Sequence, residues 1–134
     1  MRIGRWRPPA AHAARRNSGP MPLIEVTYDE SLNEGALRRL ARELPSVVAE
    51  AVDCPEEPWI GPAGPGDIEI RFRQRGPLDV GDLNVVVEVR TKFYESRARE
   101  SQRRADLIRQ GLSDLRLRRT GVWLILSDGA WSQS

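Results

Sequence analysis

Few side chains in this sequence are equipped for chemistry, and the shortage itself narrows the options. The chain holds one histidine, His12, one cysteine, Cys54, and one lysine, Lys92, against twenty arginines. His12 sits in an arginine-rich stretch with no apolar periodicity, so the folded body must work without an imidazole. Serine–histidine and cysteine–histidine hydrolysis, and histidine-ligated metal catalysis, are therefore poor fits. A single thiol excludes an internal disulfide framework and a cysteine-rich zinc site. Cys54 stands beside Pro55-Glu56-Glu57 with no base near it in sequence, the setting of an inert thiol. The remaining polar chemistry is largely cationic. Arg71, Arg73 and Arg75 alternate with Ile70 and Phe72, which on a strand puts the three guanidinium groups on one face. That face, taken by itself, reads as solvated surface paired with acids.

The elements that would carry these residues are legible in the periodicities. Pro22 to Tyr28 alternates and is β-branched, as a strand requires. Ser31 and Glu34 have capping-box spacing, and Leu37, Leu40, Ala41, Leu44, Val48, Ala51 and Val52 follow helical spacing. Pro45 falls inside that pattern and predicts a kink or a division, since it removes one hydrogen bond and crowds the carbonyl of Ala41. Residues 55–66 hold four prolines and three glycines and read as a loop. Strands are predicted at Asp67–Arg75 and Leu83–Phe93, joined by a turn at Gly76–Gly81. A second helix would carry Ala98, Ser101, Ala105, Ile108, Leu112 and Leu115 inward, and Gly121–Leu126 reads as a last strand. The arginines of that helix, interleaved with Glu95, Glu100 and Asp106, read as a solvated face and not a nucleic-acid stripe.

The order β–α–β–β–α–β is one unit used twice, offset by about 60 residues. Right-handed crossovers make the strands within each unit parallel. The expected fold class is α+β: a four-stranded sheet with two helices on one face. The other face bears Val86, Trp123 and Ile125, too apolar to stay wet, and so argues for a homo-oligomer.

At 134 residues the chain suits one domain. It has no apolar run long enough for a membrane-spanning helix. The net charge of +2 hides an asymmetry: residues 1–20 carry five arginines and no acid, while the rest carries 16 bases and 19 acids. The first twenty residues read as a disordered basic extension. They lack the apolar core of a secretory signal and a convincing amphipathic transit pattern, and Trp6 is thin aromatic support for nucleic-acid binding. Twenty arginines against one lysine fit GC-rich coding, where upstream starts are easily assigned. The reading adopted is a functional start at Met21, giving a domain of residues 21–134 in the cytoplasm, with no nucleic-acid or membrane partner.

Met21-Pro22-Leu23-Ile24-Glu25-Val26, followed by the repeated strand–helix–strand order, resembles the tautomerase superfamily. That group includes 4-oxalocrotonate tautomerase, 5-carboxymethyl-2-hydroxymuconate isomerase, malonate semialdehyde decarboxylase and macrophage migration inhibitory factor. The best local matches are the Met-Pro start, Val85–Leu115, and the ending Leu126-Ser127-Asp128-Gly129-Ala130-Trp131-Ser132. The resemblance implies a homotrimer of βαββαβ subunits with sites between neighbours, and an isomerase that uses neither cofactor nor metal. Removal of Met21 would leave Pro22 with a free secondary amine as general acid and base for enol–keto interconversion of a small 2-oxo carboxylic acid. Arg71, Arg73, Lys92 or Arg97 would hold the carboxylate, and Trp131 would wall the site. Glu69 stands where 4-oxalocrotonate tautomerase has an arginine, Asp29-Glu30 replace another, and the acid expected for decarboxylation has no secure counterpart. The competing reading is a non-catalytic oligomer of the same fold that retains residues 1–20, in which the Pro22 nitrogen is an amide without basicity.

Overall fold

The computed structural model describes residues 22–59, 61, 67–130, 132 and 134. The basic extension, Met21 and Trp131 lie outside the described residues. Strand β1 (Leu23–Tyr28) leads to helix α1 (Glu34–Val52) and strand β2 (Glu69–Gln74). Strand β3 (Val85–Lys92) is followed by a short helix α2 (Glu95–Arg99), helix α3 (Ser101–Gly111), a 3-10 turn (Ser113–Leu115) and strand β4 (Thr120–Ser127). The four strands form one sheet in the order β2-β1-β3-β4. β1 runs parallel to β2 and β3 parallel to β4, as right-handed crossovers demand, while the first strands of the two units meet antiparallel.

Alternation along each strand decides what the sheet covers. Ile24 and Val26 of β1 and Val85, Val87 and Val89 of β3 turn to the helix face and are fully buried. Leu40, Leu44, Val48 and Val52 of α1 and Ile108 and Leu112 at the end of α3 complete that core. Each such side chain removed from water contributes about 1.5–3 kcal/mol, so this layer dominates the fold's stability. The opposite face carries Arg71, Glu25, Glu88 and Trp123 in one cross-strand row, and Glu69, Leu23, Arg90 and Ile125 in the next. Trp123 is 66% exposed there.

Three local expectations need correction. The α1 cap is Asn33, whose Oδ1 accepts from the Ala36 N–H at 2.8 Å, and not Ser31. Ser31 donates both its N–H and its hydroxyl to the Asp29 carboxylate, which turns the chain two residues further before the helix starts. Glu34, freed from a capping role, pairs with Arg38 one turn on. Pro45 does not divide α1, which runs unbroken from Glu34 to Val52. Its neighbours Leu44 and Val48 are fully buried, and that packing holds the helix across the missing hydrogen bond. The second helix is not continuous: Glu100, at φ −119° and ψ 28°, separates α2 from α3. The break falls between two buried arginines, Arg97 and Arg104.

Asn84 ties the two units together. Its side-chain N–H₂ donates to Asp29 at 2.7 Å and its Oδ1 accepts from the Arg119 N–H at 3.1 Å. Its backbone carbonyl accepts from Asp29 N–H and its own N–H donates to the Arg119 carbonyl.

Candidate active site

Pro22 precedes β1 and is buried, and its carbonyl accepts from the Glu69 N–H at 3.4 Å. Leu23 pairs with Arg90, so continuing that register by one residue brings Pro22 opposite Thr91. Thr91 is 1% exposed. Lys92 follows it, half-buried, on the open face and in register with Ser127 of β4. The sequence's one lysine and the expected amine thus share one end of the sheet.

Arg97 is at the same end but is placed otherwise than expected. Its guanidinium is 1% exposed and turned into the fold. Nε donates to the Val52 carbonyl at 2.8 Å, Nη1 to Thr91 Oγ1 at 3.3 Å and to the Lys92 carbonyl at 2.9 Å, and Nη2 pairs with Glu57 at 3.2 Å. The Tyr94 ring lies 5.3 Å from its carbon. A group so engaged does not present a free fork to a substrate carboxylate. The reason lies in α1, which has no basic residue in its last turn. Helix C-termini leave carbonyls unpaired and carry partial negative charge. Arg97 answers Val52, and Arg104 Nη1 donates to Ala51 O at 2.9 Å and Asp53 O at 2.6 Å. The bare ending Ala51-Val52-Asp53, without glycine or base, was the sequence signal for two cations arriving from elsewhere.

The segment after α1 is latched to the segment after β3. Glu56 accepts from the Ser96 hydroxyl and from its N–H, and Glu57 pairs with Arg97. Chiefly because of the Ser96 hydroxyl, the Glu56 pKa is lowered to about 2. A carboxylate held below its unfolded value stabilises the fold fully above that value, about 4.3, and the contribution is lost as pH falls toward 2. Ser96→Ala is therefore expected to lower stability near neutrality and to flatten the acid limb of the stability curve in that window. Urea midpoints across the acid range would show it; an acid limb as steep as the parent's would refute the latch. Asp29 is lowered as well, first by the Ser31 hydroxyl, and adds to the same acid limb in both proteins.

Arg71 and Arg73 are not gathered with Lys92. Both are exposed on the open face of β2, an edge strand. Arg71 lies against Glu69 at 3.4 Å, and Arg73 has no ion-pair partner among the described residues. At about 3.3 Å per residue and about 4.8 Å between strands, Arg71 is roughly 16 Å and Arg73 roughly 22 Å from Lys92 along the sheet. Within one subunit the expected residues therefore fall into two groups. Among the described residues, no cluster of three or more histidine, cysteine or carboxylate side chains is arranged to hold a metal. No described helix is long and apolar enough to cross a membrane.

No family model and no curated protein matches the sequence. Solved structures do match. The FG41 malonate semialdehyde decarboxylase inhibited by 3-bromopropiolate superposes with a TM-score of 0.59 at 16% identity, over 84% of this chain and 88% of that one. The chain has the tautomerase fold. A fused 4-OT, a symmetric trimer, matches with a TM-score of 0.56 at 13% identity, over 78% of this chain and 85% of its own. A 5-carboxymethyl-2-hydroxymuconate isomerase from Deinococcus radiodurans R1 gives 0.54 at 16%, over 85% and 90%. Proteins described as malonate semialdehyde decarboxylase and as 5-carboxymethyl-2-hydroxymuconate isomerase thus share this fold.

Proposed function

We propose that the chain is a cofactor-independent tautomerase that interconverts the enol and keto forms of a small 2-oxo carboxylic acid, as an oligomer. The observation that carries this reading is the placement of Pro22: buried, at the head of a central strand, at the same sheet end as Lys92. With Met21 removed, its nitrogen is a secondary amine. Burial and a nearby cation such as Lys92 would both disfavour the ammonium form of that amine. The neutral amine takes the proton from the enol oxygen or from the carbon beside the carbonyl, and the resulting ammonium returns a proton at the other position. Lys92 stabilises the substrate carboxylate and the charge that develops on oxygen.

The distance from Lys92 to the β2 arginines fits a site completed between copies. Arg71 and Arg73 of one subunit would then face the Pro22 end of a neighbour, with Trp131 as a wall. The trimeric state of the fused 4-OT is the model for that assembly. The open sheet face, with Val86, Trp123 and Ile125, supplies apolar surface for it.

The test is the intact mass and N-terminal sequence of the protein from its native cells, together with turnover of phenylenolpyruvate and 2-hydroxymuconate. A chain beginning at Pro22 that turns over either substrate is the expected result. A chain that keeps residues 1–20 removes the amine and leaves the non-catalytic oligomer as the reading.

A further inference from the structure

We infer that Arg97 is a positioning residue for Lys92: it supplies the last rung of the β1 side of strand β3. The inference rests on the proposed role of Lys92 at the Pro22 site. Along a strand, successive residues turn their backbone groups to opposite neighbours. Phe93 N–H donates to the Ser127 carbonyl at 3.0 Å, on the β4 side. The Lys92 carbonyl therefore faces the β1 side. Among the described residues the β1–β3 ladder ends there, at Leu23 paired with Arg90. Pro22 comes next, opposite Thr91, and a chain that begins at Pro22 has no further backbone N–H on β1 to meet Lys92.

A strand end with an unmet carbonyl frays, and a side chain borne on frayed backbone is held loosely. Arg97 Nη1 fills the vacancy with a hydrogen bond of 2.9 Å to the Lys92 carbonyl and one of 3.3 Å to Thr91 Oγ1. The rest of the same guanidinium is anchored on α1 through Val52 O and on the loop through Glu57. Because that group is 1% exposed, the tie is made in a dry environment where hydrogen bonds to a charged donor are strong. One rigid fork thus fixes the backbone of Lys92 relative to α1, while the Lys92 ammonium stays free for substrate. Lysine at position 97 would keep the charge opposite Glu57 but could not reach three elements at once.

The experiment uses the full domain beginning at Pro22 and four proteins: parent, Arg97→Lys, Lys92→Met, and the double variant. With phenylenolpyruvate, Arg97→Lys is expected to raise KM about tenfold with kcat within about twofold, and Lys92→Met to do at least as much. If Arg97 acts through Lys92, the double variant is no worse than Lys92→Met alone; additive losses overturn the inference. A second readout needs no turnover. Amide exchange at Phe93 is expected to quicken about tenfold in Arg97→Lys, with Val87 and Val89 unchanged as a control for global stability. Unchanged exchange at Phe93 also overturns the inference. If the parent shows no turnover of any 2-oxo acid, the proposed function fails by itself, and the exchange measurement still decides the role of Arg97.

Discussion

A domain that begins at Pro22 and carries Pro22→Ala is expected to ketonise phenylenolpyruvate about 100-fold more slowly, with KM nearly unchanged. Positioned proton transfer contributes about 10²- to 10⁴-fold, and alanine keeps an amine of different basicity and freedom, so the lower figure applies. Retaining residues 1–20 converts the same nitrogen to an amide and should forfeit the full factor. A site shared between copies adds a sharper result. Pro22→Ala subunits and Arg71→Ala/Arg73→Ala subunits, each strongly impaired alone, should regain turnover when mixed and reassembled. Random assembly pairs an intact proline with intact arginines at about a quarter of the sites. Equal rates for the Pro22→Ala domain and its parent would end the proline mechanism, and mixtures no faster than either variant alone would end the shared site.

The second large effect concerns the contact between α3 and α1. A Cβ added at Gly111 would lie 2.7 Å from Val47 Cγ1, closer than such carbon atoms approach, and a tight 3.2 Å from its Cγ2. Two terms oppose each other in Gly111→Ala. Alanine gains at most about 0.5–1 kcal/mol in helix propensity, less at this last helical position, whereas forcing a methyl group into an occupied contact costs about 1–3 kcal/mol. Val47 is β-branched and stiff within α1, so it cannot swing aside, and the steric cost wins. A net loss of about 1–2 kcal/mol is expected, read as a lower urea midpoint. In a Val47→Ala background the sign should reverse, because the helix gain remains and the obstacle is gone. The same loss in both backgrounds would place the cost elsewhere.

The strands and the sheet were readable because Ile24 and Val26 alternate with Glu25 and Thr27, and Val87 and Val89 with Glu88 and Arg90, and a period of two admits one burial pattern. The cap of α1 was not, because Ser31 and Asn33 are both good caps and only Asp29, reached through Ser31, decides between them. The unbroken path through Pro45 depends on packing against the sheet, which local spacing does not encode. The site divides in the same manner. Pro22 and Lys92 sit at one sheet end because strand register is fixed by alternation. The burial of Arg97 was not legible, because its neighbours in sequence suggest a solvated helix face while its partners Val52 and Glu57 are 45 and 40 residues away. Trp131 lies outside the described residues.

The pairing of Lys92 with Ser127, and of Pro22's strand with the same stretch of β3, brings the exit of β4 within roughly 10 Å of Pro22. Whatever chain follows Ser127 emerges beside the proline while leaving the sheet, both units and the core untouched. Length and composition at the carboxyl end are therefore an open dimension for evolution: segments grafted there would change the surroundings of Pro22 with little demand on the sheet or its core.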